Sequence, residues 1–150
     1  MTVTISLDIR DAVMTALNTD TPTGIPMATK RRVMPGEPVR EPFIAVFLGR
    51  EQVTHPGGSR GPIADRPLEV LIELGTATDD LANVDDLIEP LRAWLVKALG
   101  DSNLGGLASE VQELGVTERA TYKLDLYNAL AITAWTVRYQ TARADLAARQ

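Results

Sequence analysis

Two segments of the chain have the residue pattern of β-strands, and a polar segment joins them. Residues 42–50 read PFIAVFLGR, and residues 66–74 read RPLEVLIEL. Between them lies EQVTHPGGSRGPIAD, in which Gly and Pro favour a loop over a packed element. The pattern predicts a β-hairpin whose long loop, at about residues 50–66, projects from the domain.

The two strands of this hairpin are expected to differ in burial. The first has apolar residues on both faces, which predicts a central strand covered on both sides. The second has an apolar residue at every other position, with Glu69 and Glu73 on the opposite face. This alternation predicts a half-exposed strand, which Gly75 is expected to end.

Helical periodicity appears on either side of the hairpin. The first apolar stripe recurs every four residues: Ile5, Ile9, Val13 and Leu17. A second stripe predicts a helix over residues 81–99, capped by Thr78 or Asp79 and kinked by Pro90. Its expected buried face consists of Leu81, Val84, Leu87, Ile88, Leu91, Trp94, Leu95 and Leu99.

Further strands are predicted near both ends of the chain. A short one is expected at residues 31–34, and another at 109–114, continuing through 118–123. Residues 129–141, rich in β-branched and aromatic residues, predict a long strand. Residues 142–150 are expected to form a helical tail that is flexible or docked on a partner.

These elements predict a single α+β domain over residues 1–150. Its mixed, mainly antiparallel sheet is expected to have four to five strands packed against two to three helices. Apolar residues make up 45% of the chain and charged residues 23%, as in globular proteins. No apolar run is long enough to span a membrane and no leader pattern is evident, which predicts a soluble product made in the cytoplasm.

The charge and the missing cysteines exclude several classes of function. The formal net charge is −5, whereas a protein that binds duplex DNA through its phosphates needs a cationic face. The basic cluster of Lys30, Arg31 and Arg32 is expected to be a solvated segment. Without Cys, and with one His, the chain has no disulfides, thiol catalysis or transition-metal site, so no metal or cofactor is expected.

One short motif is typical of hydrolases. Residues 57–61 match G-x-S-x-G, in which the serine of a hydrolase stands on a strand-to-helix turn. Here Pro56 and Pro62 flank the motif, no helix is predicted after it, and the sole histidine, His55, lies in the same loop. The match is therefore expected to be a chance one, Ser59 is not predicted to be a nucleophile, and the protein is not predicted to be an enzyme.

The order of elements nevertheless resembles a known family. The segments are IRDAVMTAL, EPFIAVFLG, PLEVLIEL, VDDLIEPLRAWLVKAL with its internal proline, SEVQELGVTER and ALAITAWTVRYQT. Their succession resembles the tail terminator proteins of long-tailed bacteriophages, of which the phage lambda protein is the familiar type. The similarity covers residues 5–141 and concerns layout, without an invariant motif; residues 21–41 have no clear counterpart.

This resemblance implies a structural function. Tail terminators are α+β subunits that close into a six-fold ring on the tail tube, stop its polymerisation and present the head or neck attachment surface. The expected partners are identical subunits, the tail tube protein and the head or neck connector protein, at the head-proximal end of the virion tail. DNA passes through the lumen without specific binding, which an acidic protein permits.

The hairpin loop and the last strand are expected to supply the contacts. Trp135 and Tyr139 share a strand face that is expected to be exposed and to pack at the ring interface. The candidate interface residues are Glu51, Gln52, Val53, Thr54, His55, Arg60, Ile63, Trp135 and Tyr139.

Two alternatives remain open from the sequence. A head–tail connector or neck completion protein would also form a ring, and capping of purified tubes distinguishes it from a terminator. A small-molecule-binding or hydrolytic α+β domain that uses the Ser59 loop predicts a monomer or dimer with a deep polar pocket.

Overall fold

The computed structural model describes residues 4–34, 36–58 and 61–149 of the protein. Two helices and six strands make up the fold, which confirms the α+β class with a sheet slightly larger than predicted. The elements in chain order are α1 (Ile5–Leu17), β1 (Ala28–Thr29), β2 (Phe43–Glu51), β3 (Ile63–Thr78), α2 (Val84–Leu99), β4 (Glu110–Lys123), β5 (Tyr127–Ala142) and β6 (Asp145–Arg149). No helix in the described ranges is long and apolar enough to cross a membrane.

One mixed sheet contains all six strands. The strand order is β1-β2-β3-β5-β4, and β6 pairs with β5. Only β1 and β2 are parallel; the other pairs are antiparallel. The predicted hairpin is confirmed, because β2 and β3 pair from Phe43 opposite Gly75 to Glu51 opposite Leu68.

Both helices pack against one face of this sheet and form the core with it. The predicted stripe of α1 is confirmed, since Ile5, Ile9, Val13 and Leu17 are all buried. At its C-terminal end, the Leu17 carbonyl accepts a hydrogen bond from the Trp94 indole of α2 at 3.2 Å. The strands contribute alternate residues to the same cluster: Ile44, Val46, Leu68, Val70, Ile72, Leu74, Ala129, Ala131, Trp135, Val137 and Tyr139.

The start of α2 differs from the prediction. The Asp80 side chain accepts a hydrogen bond from the Ala82 backbone N–H and caps a short 3-10 turn, Leu81–Asn83, before the α-helix begins at Val84. This turn places Leu81 off the buried stripe, so that its side chain is 53% exposed. Leu87 is exposed as well, whereas the other predicted positions from Ile88 onward are buried.

The prediction that Gly75 ends its strand is wrong. β3 continues to Thr78, and Gly75 lies opposite Phe43 on the face of the sheet remote from the helices. A Cβ atom at residue 75 would overlap the Phe43 ring. The glycine is therefore needed for close packing rather than for a turn.

A segment predicted as a strand instead crosses the sheet. Residues 31–34 form no strand, and the short parallel strand lies earlier, at Ala28–Thr29. The Asn18 side chain holds Ala28 by two hydrogen bonds, of 2.7 and 3.0 Å, which positions this strand at the end of α1. After it, residues 30–34 and 36–41, here called the strap, cover the face of the sheet opposite the helices, here called the outer face.

Asn128 anchors the strap. Its side chain is buried on the outer face, accepts a hydrogen bond from the Val39 backbone N–H and donates one to the Leu126 carbonyl at 2.9 Å. At the other end of the strap, the Arg32 guanidinium lies 3.8 Å from the centre of the Phe47 ring. The two contacts hold the strap across β2, β3 and β5.

The predicted helical tail is wrong, because β6 pairs with the end of β5. The Arg143 N–H in the connecting turn donates to the Pro62 carbonyl at 2.8 Å, so the turn lies beside the start of β3. The polar pattern ARADLAARQ has helical character, but the free edge of β5 beyond β4 offers backbone partners that a short isolated helix lacks.

Replacing Asn128 tests the anchoring of the strap. We expect N128A to lower the free energy of unfolding by about 2 kcal/mol, because the Val39 N–H then stays buried without a partner. Trypsin cleavage after Lys30, Arg31 or Arg32 should also accelerate in the native protein. T136A, on the same strand and face, is the control and should change stability by less than about 1 kcal/mol, with unchanged cleavage. Equal cleavage rates in N128A and the wild type would contradict the anchoring role.

Candidate functional site

A polar network across three strands fixes the base of the hairpin. The Tyr139 hydroxyl of β5 donates a hydrogen bond to Glu51 of β2 at 2.8 Å. Arg66 of β3 lies 3.4 Å from the same carboxylate oxygen and donates through Nε to the Thr141 hydroxyl at 2.9 Å. Burial and the hydrogen bond to Glu51 raise the pKa of Tyr139, so the phenol stays protonated as the donor. The direction in which the hairpin leaves the sheet is thereby fixed.

The backbone hydrogen bonds between the two sides of the hairpin extend into the segment that the sequence predicted as loop. The Gln52 N–H donates to the Pro67 carbonyl at 3.1 Å, and Thr54 and Asp65 exchange two backbone hydrogen bonds, of 2.8 and 2.7 Å. Ile63 already belongs to β3, opposite Ala142. The predicted loop at about residues 50–66 was therefore too long at both ends.

The residues between β2 and β3 are here called the hairpin tip. The part of the tip that the structure describes presents a mostly exposed surface. Gln52, Val53 and Thr54 are exposed, and Val53 is 44% accessible to solvent. His55 is half-buried, and its carbonyl accepts a hydrogen bond from Gly58 at 2.9 Å in a tight turn. Arg60, which the sequence also placed at the interface, lies outside the described residues.

Trp135 and Tyr139 do not lie on an exposed face. Each is 2% exposed, and both belong to the core beneath the helices. The alternation of β5 correctly placed them on one face but did not reveal that α1 and α2 cover it. Their expected exposure at a ring interface is therefore wrong.

The G-x-S-x-G match has the wrong structural context for a hydrolase. Residues 57–61 connect two antiparallel strands, whereas a nucleophile elbow joins a strand to a helix. Ser59 itself lies outside the described residues. Within the described ranges, no group of three or more His, Cys, Asp or Glu side chains is arranged to hold a metal ion.

A pocket of about 660 Å³ lies on the outer face beside the strap. We call it the outer-face pocket. Its lining combines charged and apolar side chains with one aromatic ring: Arg32, Val33, Met34, Gly36, Glu73, Glu118, Tyr122, Leu124, Leu130 and Ile132. The volume falls within the range of small-ligand sites in proteins, roughly 300–1,000 Å³.

Glu73 is the unusual member of this pocket. The sequence placed it on a solvent-exposed strand face, but the residue is only 5% exposed. Burial raises the pKa of its carboxyl group, while Arg32 and a hydrogen bond from the Val33 backbone lower it. The nearby Glu118 raises it further, and the carboxyl oxygen Oε1 has no hydrogen-bond partner among the described residues.

Sequence reasoning missed the outer-face pocket because the strap supplies its cover. The only available signal was the apolar face of Phe43, Ala45 and Phe47, which predicted that β2 is covered on both sides. Since Ala45 lies opposite Glu73, the cover over β2 extends to its neighbour. The strap that forms the cover, at residues 30–34 and 36–41, had no periodicity from which its path could be predicted.

The sequence was also compared with known proteins. No family model matches the chain, and a search of curated proteins finds no significant match.

Neutralising Glu73 tests its burial. A raised folded-state pKa means that the native protein binds the proton more tightly than the unfolded chain, so the wild type loses stability as pH rises through that pKa. We expect E73Q to raise the free energy of unfolding by about 1 kcal/mol at pH 7, because a buried charge is removed. The gain should vanish below about pH 4, where unfolded glutamate is protonated as well.

E69Q is the matched control, since Glu69 lies on the same strand and face but does not line the pocket. Its stability should stay within about 0.5 kcal/mol of the wild type at either pH. Denaturant unfolding across this pH range measures both variants. A destabilised E73Q whose deficit grows as pH rises would refute the assignment.

Proposed function

We propose that the protein is a structural subunit of a bacteriophage tail, a tail terminator that closes into a ring on the tail tube and stops its polymerisation. The observation that carries the proposal is that the subunit has two unlike open surfaces on one sheet. A ring requires such a pair, since each copy must contact its neighbour through a different patch on either side.

The first open surface is the β4 edge of the sheet. β4 pairs with β5 along one side, and within the described residues no strand pairs with its other side. It is 14 residues long, has two register shifts and carries Glu110, Glu113 and Glu118. Register shifts and charged side chains on an edge strand prevent nonspecific pairing with other strands. The β4 edge is therefore suited to contact with a complementary surface of a neighbouring subunit.

The second open surface is the opposite edge with the hairpin tip. β1 pairs with only two residues of β2, at Ile44 and Ala45, and the tip extends beyond this point. The Tyr139, Glu51 and Arg66 network and the Thr54–Asp65 backbone pair hold the base of the hairpin to the sheet. A hairpin that is held at its base leaves the sheet in a set direction, which limits the conformational entropy lost on contact with the tube or the next subunit.

The structure argues against one part of the interface that the sequence predicted, the contact surface on the last long strand. The last long strand was expected to supply a contact surface, but β5 lies between β3 and β4 and is paired on both sides. The proposed contacts therefore involve β4 and the tip, and exclude the buried rings of Trp135 and Tyr139.

The net charge of −5 supports the proposed passage of DNA through the ring. Phosphates and an acidic lumen repel each other, so the duplex does not adhere to the wall. The element order that resembles tail terminators, now found on one α+β sheet, supports the same function.

Shortening the hairpin tip tests the proposal. Replacing residues 56–61 with Gly-Ser-Gly keeps the Thr54 and Asp65 pair, so we expect a folded protein with a melting temperature close to that of the wild type. In a phage that carries this variant, tails should become longer and heterogeneous, because the tube is no longer capped. Electron microscopy of tail lengths measures the effect.

A Gly-Ser-Gly replacement of residues 22–24, an exposed turn away from the hairpin, is the control and should leave tail length unchanged. Tails of normal length joined to heads in the tip variant would refute the role of the tip. Tails of normal length that fail to join heads would instead assign the protein to neck completion.

A further inference from the structure

The outer-face pocket contains a carboxylate with incomplete hydrogen bonding. Glu73 is 5% exposed, and within the part of the chain that the structure describes no group donates a hydrogen bond to its Oε1 atom. Buried carboxylate oxygens are nearly always hydrogen-bonded or paired with a cation. An exception in the middle of a sheet, next to an open pocket, indicates a donor that comes from another molecule.

The nearest cation of the chain does not supply this donor. The Arg32 guanidinium stacks on the Phe47 ring, 3.8 Å from its centre. Among the described residues, the ion pairs of the protein do not include one between Arg32 and Glu73. Arg32 therefore favours the charged form of Glu73 without forming an ion pair with it.

A second carboxylate faces the same pocket. Glu73 lies opposite Ile132, and Ile132 lies opposite Glu118, so the three residues form one row across β3, β5 and β4. Opposed residues on neighbouring antiparallel strands share a face and lie about 5 Å apart. The two carboxylates consequently flank an apolar floor, which Leu130 and Ile132 form.

We propose that the outer-face pocket binds the side chain of an arginine presented by a partner protein. The guanidinium group has five donors in one plane and can bond to carboxylates on two sides, whereas the compact ammonium group of lysine cannot span them. Its aliphatic stem matches the apolar residues Leu124, Leu130 and Ile132, and Tyr122 offers a ring for stacking. The proposal does not rest on ring formation or tube capping.

Nuclear magnetic resonance of the full chain tests the binding. The probe is N-acetyl-arginine N-methylamide, and its neutral match is the citrulline analogue. We expect saturable amide shifts at Tyr122 and Ile132 with a dissociation constant of about 1 mM, a typical affinity for a single side chain. The citrulline analogue should bind at least about tenfold more weakly, because it lacks the charge.

A variant of the chain tests the role of Glu73. E73Q should weaken binding of the arginine probe by about tenfold, since a charged hydrogen bond is lost. E69Q, on the same strand and face outside the pocket, should bind like the wild type.

Three outcomes would overturn the proposal. The first is equal binding of the arginine and citrulline probes to the wild type, a result that needs no variant and stands even if E73Q does not fold. The second is unchanged affinity in a folded E73Q. The third is binding of free spermidine more than tenfold tighter than the arginine probe, which would assign the pocket to a free polyamine.

Discussion

The antiparallel ladder between β3 and β5 is the constraint on which the rest of the structure depends. Sixteen consecutive residues of β3, from Ile63 to Thr78, each have a fixed partner on β5. Because side chains alternate between faces, this register directs Leu68, Val70 and Ile72 to the helices and Glu73 to the outer face. A slip of one residue would exchange the faces and place Glu73 in the apolar core. The core and the outer-face pocket are therefore two consequences of one register.

The same ladder determines which surfaces are available to partners. β5 is paired on both sides and so has no open edge opposite β3 and β4, and the helices cover its aromatic residues. The surfaces proposed for partners are therefore the edge of β4 and the hairpin tip. Tyr139 connects the core to the hairpin, because its ring lies on the core face of β5 and its hydroxyl donates a hydrogen bond to Glu51 at the base of the hairpin. A tip held in this way and an edge strand on the far side of the sheet are suited to head-to-tail contacts in a ring.

Local patterns predicted the elements but not what covers them. The stripe of α1, the hairpin, and the strands β4 and β5 follow from periodicity within each segment. Burial of Glu73 and Trp135 depends on residues far away in the chain, the strap in one case and the helices in the other. Alternation shows that a strand has two different faces and leaves open which of them is covered. Gly75 illustrates the same limit, since only the structure shows that the Phe43 ring occupies the space of its absent side chain. The candidate tip could thus be located from the sequence, whereas the outer-face pocket required the path of the strap.

Electron microscopy of the protein bound to tail tubes tests most directly whether unlike surfaces of this subunit join head to tail. A closed ring of six copies at one end of each tube is expected, with β4 of each copy facing the hairpin side of the next. Bare tube ends, or copies paired two-fold through the same surface, would contradict the proposed assembly.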